Sequence, residues 1–172
     1  MLKNSSNRHN WYISMKKSYI YHPLILVFSL LLLSFSPIPD KSSVKFEQEK
    51  ITVKTTNGEH IFDAEIAITK EQLEAGLMYR TSLPENKAML FILPDNLRIG
   101  MWMKNTLISL DMLFIDKLGK IVYIAKNTKP NSLDIISAGD KPVSAVLELK
   151  GGLSEAKNIN IGDEVIFKGG KK

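Results

Sequence analysis

KITVKTTNGEHIFDAEIAI, residues 50–68, decides the fold class. In its first half Ile51 and Val53 fall on one side, and Lys50, Thr52 and Lys54 on the other. That two-residue period marks a half-buried strand, because successive side chains point to opposite faces. Asn57-Gly58 is a hairpin signal, since both central positions of a primed turn take positive φ. The return strand carries Phe62, Ala64, Ile66 and Ile68 on one face, with Asp63 and Glu65 opposite. Thr69 then ends the alternation. T-K-E-Q is a capping box in which Thr69 and Gln72 satisfy each other's backbone amides. It predicts a short helix over about 70–78, with Leu73 and Leu77 buried and Gly76 weakening its end.

The pattern continues towards the C-terminus. AMLFIL (88–93), RIGMWMKN (98–105), SLDMLFID (109–116), KIVYIAK (120–126), SAVLELK (144–150) and GDEVIFK (162–168) read as strands. DKLG and the Gly151-Gly152 pair read as turns, and residues 127–142 as a long loop framing a cleft mouth. Many short strands with one helix predict a mainly β single domain, a β-sandwich or a partly open β-barrel.

The N-terminal end is different in kind. PLILVFSLLLLSF, residues 23–35, carries no charge, and Lys16 and Lys17 precede it. A basic stretch followed by an apolar run is the pattern of a signal peptide or N-terminal membrane anchor, assigned to residues 1–36. The region before the lysines is long for a signal, so Met15 is the expected true start. Ser34 and Ser36 have the spacing of a cleavage site, but Pro37 would follow the cut. Residues 37–49 are read as a linker, 50–168 as the β domain and 169–172 as a basic tail. The expected location is extracytoplasmic, periplasmic or at the cell surface, with membrane contact only through the N-terminal segment.

Charge removes one class of function. Four of the 23 basic residues precede Asp40 (Lys3, Arg8, Lys16 and Lys17). The remaining 19 face 18 acidic residues, which is no electrostatic footprint for nucleic acid. The chain has no cysteine, so disulfides, thiolate chemistry and lipid attachment to cysteine are excluded.

EQLEAGLMYR, AMLFIL, WMKNTLISLDMLFID (102–116), KIVYI, VLEL and NINIGDEVIF occur in one order. Together they resemble the bacterial and archaeal family called domain of unknown function 192, over about residues 50–168. The resemblance implies a compact β-sandwich, often behind a signal peptide or anchor, with no established activity. An aromatic often stands in that family where this chain has Met101, and a proline where it has Ser109.

The residue mix of GMWMKNTLISLD, residues 100–111, suggests a site. Strand alternation puts Met101, Met103 and Asn105 on one face, and Trp102 and Lys104 on the other. With the methionines inward, Trp102 stands partly exposed beside Lys104. An exposed indole can stack on the apolar face of a sugar, and flanking polar groups can fix its hydroxyls. Arg80, Trp102, Lys104 and Asn105 are therefore the candidate ligand-binding residues of an accessory module for envelope carbohydrate or an exported protein partner. Asp111 and Glu148 are candidate catalytic carboxylates in an alternative reading, a hydrolase of envelope polymers. As scaffolding, each would instead be buried against Arg80, Lys104 or backbone amides. A third reading is a purely structural domain, with Trp102 covered. Met101 and Met103 could offer soft thioethers to Cu(I), but two such ligands are few, and no cofactor is expected. Of the three histidines only His60 follows the leader, and it reads as a solvated turn residue.

Overall fold

The computed structural model describes residues 44–97 and 99–168. The leader, most of the linker and the basic tail lie outside the described residues. No helix among the described residues is long and apolar enough to cross a membrane.

Among the described residues, nine strands and two short helices follow in the order β1 (Glu47–Thr55), β2 (Gly58–Ala67), α1 (Lys70–Ala75), β3 (Lys87–Leu97), β4 (Gly100–Met101), β5 (Leu110–Ile115), β6 (Ile121–Ala125), β7 (Ile136–Ser137), β8 (Val143–Lys150), α2 (Leu153–Ala156) and β9 (Glu164–Ile166). Seven strands form one sheet in the order β6-β5-β8-β3-β2-β1-β9, while β4 and β7 make a small second sheet. The large sheet curls until its ends meet. Lys120 bridges Glu164, Ile121 N–H donates to Asp163 O (2.9 Å), and Val165 N–H donates to Gly119 O (2.7 Å). The result is a nearly closed barrel, the second of the two architectures expected. Closure leaves few unpaired strand edges.

The hairpin forms where the sequence placed it, one residue early. Thr55 pairs with Gly58, so Thr56 and Asn57 make the turn and Gly58 (φ 136°) leaves it. Strand β1 also starts at Glu47, inside the stretch read as linker. The capping box is present: Gln72 N–H donates to Thr69 Oγ1 (3.3 Å), and Gln72 Oε1 accepts from Thr69 N–H (3.0 Å). The helix it starts is shorter than expected, ending at Ala75 with Gly76 (φ 46°) as its cap. Helix α1 carries the chain over the sheet, so β2 and β3 pair in parallel while every other pair in the large sheet is antiparallel. A parallel pair requires such a crossover.

Two apolar clusters share the large sheet. Ile51, Phe62, Leu90, Leu113, Leu147 and Val165 belong to the cluster inside the barrel. The opposite face of β3, β5 and β8 buries Met89, Phe91, Met112, Phe114 and Val146 in a second cluster, which also holds Leu77 from the end of α1 and Met103 from the loop after β4. Every residue of β5 is therefore buried, which explains its unbroken apolar run. The expected strand over 98–105 is reduced to Gly100–Met101. It gives way to a turn in which Thr106 N–H donates to Met103 O (3.0 Å), because this segment lies across the sheet as a cover rather than joining it. The 127–142 loop contributes only the two-residue β7, and Gly151-Gly152 leads into α2, which the sequence did not reveal.

Candidate functional site

Sheet register decides the fate of the two candidate carboxylates. On β5 and β8, Asp111 pairs with Leu149 and Met112 with Glu148. Adjacent positions point to opposite faces, so Asp111 and Glu148 are on opposite sides of the sheet. They do not converge on one cleft.

Asp111 is fully buried and fully engaged. Its Oδ1 accepts from Asn127 N–H (2.7 Å) and Gly152 N–H (3.0 Å). Its Oδ2 accepts from Ser154 N–H (2.8 Å) and the Ser154 hydroxyl (2.7 Å). The carboxylate thus ties α2 and the start of the long loop to the barrel. Neither Arg80 nor Lys104 is its partner. Arg80 makes a two-pronged ion pair with Glu65 on β2, through Nη1–Oε1 (3.0 Å) and Nη2–Oε2, and lies 5.9 Å from the centre of the Phe46 ring. That pairing ties Arg80 to Glu65, and Arg80 does not line the Trp102 groove.

Trp102 and Lys104 do come together. The indole is 47 % exposed, and Lys104 Nζ stands 5.1 Å above its ring centre. Trp102, Lys104 and Asn105 line a groove of about 680 Å³ whose far wall is Leu73, Glu74 and Met78. Asn105 does not share a strand face with the methionines. It sits in the turn at φ 56°, beside Tyr79 at φ 63°. The two hold each other: Tyr79 N–H donates to Asn105 O (2.8 Å), and Asn105 Nδ2 donates to Tyr79 Oη (2.9 Å). A bulky residue at positive φ is a true backbone outlier, and such strain concentrates at binding sites.

The methionines behave as core and wall. Met103 is fully buried, with its sulfur 3.2 Å from the Thr128 hydroxyl. Met101 is half-buried against the groove. His60 is on β2 rather than in a turn, half-buried, and its Nε2 finds no hydrogen-bond partner among the described residues. No cluster of three or more metal-ligating His, Cys, Asp or Glu side chains occurs among the described residues.

Beneath Trp102 the groove meets a narrower pocket of about 120 Å³, which Glu148 lines together with Gly76, Met78, Met101 and Thr106. Glu148 is 4 % exposed, and no hydrogen bond or ion pair to its carboxyl group is found among the described residues. Burial pushes its pKa up to about 8, since an unpaired charge is costly in this surrounding. Its strand neighbours are Met89 and Met112. Sequence reasoning found the residue and missed this state, because register alone shows that it opens under Trp102. Glu74, Met78 and Thr106 were missed too; Met78 lies within the GLMYR motif, but nothing local points it at Trp102.

The family model of domain of unknown function 192, described as "Uncharacterized ACR", matches residues 52–167. The chain belongs to the DUF192 family. Solved structures resemble this DUF192 chain, two of them as follows. One, from Sinorhizobium meliloti 1021 and provisionally described as a transcription regulator, is 37 % identical with a TM-score of 0.69, covering 72 % of this chain and 96 % of that one. The other, a protein of unknown function from Novosphingobium aromaticivorans DSM 12444, is 29 % identical with a TM-score of 0.68, covering 77 % and 99 % respectively. No match was found among curated proteins.

Proposed function

We propose that this domain is a non-enzymatic binding module whose ligand enters the groove at Trp102, and that the ligand is an envelope carbohydrate. One observation carries the reading: a tryptophan 47 % exposed on the wall of a groove, with an ammonium group over its ring. A purely structural role would have left this indole covered. A sugar ring can stack on the indole, while Lys104 and the side-chain amide of Asn105 meet its hydroxyls. The left-handed pair Tyr79–Asn105 supports the same reading, because it presents Asn105 at the groove at a conformational cost.

The paired-carboxylate hydrolase has no support in the geometry, since Asp111 and Glu148 occupy opposite faces. The regulator description of the Sinorhizobium protein does not carry over readily, because the near-neutral charge of this domain offers no basic stripe for DNA. Export is part of the proposal and rests on the apolar leader. An exported protein partner remains the second kind of ligand this groove would suit.

The test is a binding screen of peptidoglycan fragments and chitooligosaccharides against the parent chain and Trp102→Ala. The proposal expects at least one saccharide to bind the parent, with a loss of tenfold or more in the variant. Absence of any saccharide binder, or equal binding by the variant, would refute it.

A further inference from the structure

We infer that the pocket beneath Trp102 is a subsite for a primary ammonium group on a short alkyl stem, with Glu148 as its counter-ion. The inference rests on the reading that the adjoining groove is a ligand site, and it adds the chemistry of the ligand's deepest group.

Size comes first. At about 120 Å³ the pocket is far smaller than the adjoining groove of about 680 Å³, and it suits a short aminoalkyl group. The walls suit such a stem: the apolar Leu77 and Phe91, with the thioethers Met78 and Met101, can surround methylenes. The polar requirement comes from Glu148, whose side chain is almost wholly buried while its carboxyl oxygens open onto the pocket and meet no protein donor among the described residues. An acceptor that reaches solvent only through a narrow pocket is poorly hydrated, and a ligand bearing three N–H donors and a positive charge answers it.

The charges around Glu148 agree. From β3 and β5 its neighbours are Met89 and Met112, which carry none. From α1 the pocket receives Glu74, a second acidic group. From the loop after β4 it receives Lys104, whose ammonium stands over Trp102 and makes no ion pair with Glu148. That position also shows that a cation is accommodated on the indole face at the pocket mouth.

Binding would be coupled to a proton. With its pKa pushed up to about 8 by burial, Glu148 is mostly protonated at pH 7. An incoming alkylammonium, charged at that pH, favours the carboxylate, so the Glu148 proton leaves to solvent. The exchange is one cation in, one proton out, with no bond made or broken in the ligand.

The experiment is calorimetric titration of the full-length chain with n-butylammonium chloride at pH 7, in two buffers of different ionisation heat. The expected result is binding with proton release, no binding of n-butanol, and loss of both affinity (tenfold or more) and proton release in Glu148→Gln. Equal affinity in that variant, absence of proton release, or equal binding of n-butanol would overturn the inference. Glutamine keeps the shape of the protonated acid, so folding is retained. Nα-acetyl-lysine amide as a second probe separates sources: tighter binding than butylammonium indicates a peptide-borne lysine, and equal binding a free amine. Saccharide binding without amine binding sinks this inference and leaves the groove reading standing, whereas amine binding without saccharide binding does the reverse.

Discussion

Replacing Glu148 by glutamine should make stability less sensitive to pH, and the size of the effect follows from burial. The Glu148 pKa is raised from an ordinary 4.5 to about 8 in the folded chain, by desolvation. Below pH 4.5 both folded and unfolded chains hold the proton, and the residue costs nothing. Above that, the unfolded chain ionises while the folded one does not, so stability falls until the folded group also ionises near pH 8. A separation of about 3.5 pH units, at about 1.36 kcal/mol each, amounts to roughly 5 kcal/mol as an upper value. That is a large part of the 5–15 kcal/mol typical of a folded domain. Glu148→Gln mimics the protonated acid and removes the loss. Urea unfolding of parent and variant at pH 4.5, 6, 7.5 and 9 gives the difference at each pH, and all other titrating groups cancel. The variant should match the parent at the lowest pH and exceed it by several kcal/mol at the highest. A difference that does not change with pH, or a variant that falls below the parent as pH rises, would refute the reasoning.

Three further outcomes are expected. Gly119→Ala should destabilise by about 1–3 kcal/mol in urea unfolding, because the residue holds φ 77° and a Cβ would stand 2.8 Å from Val165 O at the barrel seam. Amide exchange at Val165, which donates to Gly119 O, should speed up more than exchange in β1 and β2. Asp111→Ala should cost about 3–5 kcal/mol, since it leaves the Asn127, Gly152 and Ser154 amides and the Ser154 hydroxyl without their acceptor. Trp102→Ala should change stability by less than about 1 kcal/mol, its ring being half in solvent, and still abolish saccharide binding.

The parts of this protein legible in sequence are those set by local rules. Alternation over 50–66 gave the hairpin faces, although Ile68, read as the last inward residue, lies beyond β2 and is exposed; Thr69 with Gln72 gave the start of α1. Trp102 is exposed beside Lys104 and Met103 is buried, as expected, but in the loop after β4 rather than on the strand that alternation assumed. What was hidden depends on partners far along the chain. The parallel pairing of β2 with β3, the closure of β6 on β9 and the covering role of residues 99–107 are choices of topology that neighbouring residues do not encode. The same holds for the site. Arg80 belongs with Glu65, 15 residues away, and Asp111 with Gly152 and Ser154, more than 40 away. A carboxylate within an apolar run announces that it needs a partner; only register shows that Asp111 has four and Glu148 opens instead towards the groove.

The most direct test of a ligand site between Trp102 and Glu148 is a nuclear magnetic resonance titration of the full-length chain with N-acetylglucosamine tetramer. The Trp102 indole N–H and the Asn105 side-chain amide should shift first and furthest, with one common dissociation constant, while Asp111 and its partners stay still. Shifts centred elsewhere on the barrel, or a saturating titration that leaves the Trp102 indole unmoved, would contradict the account.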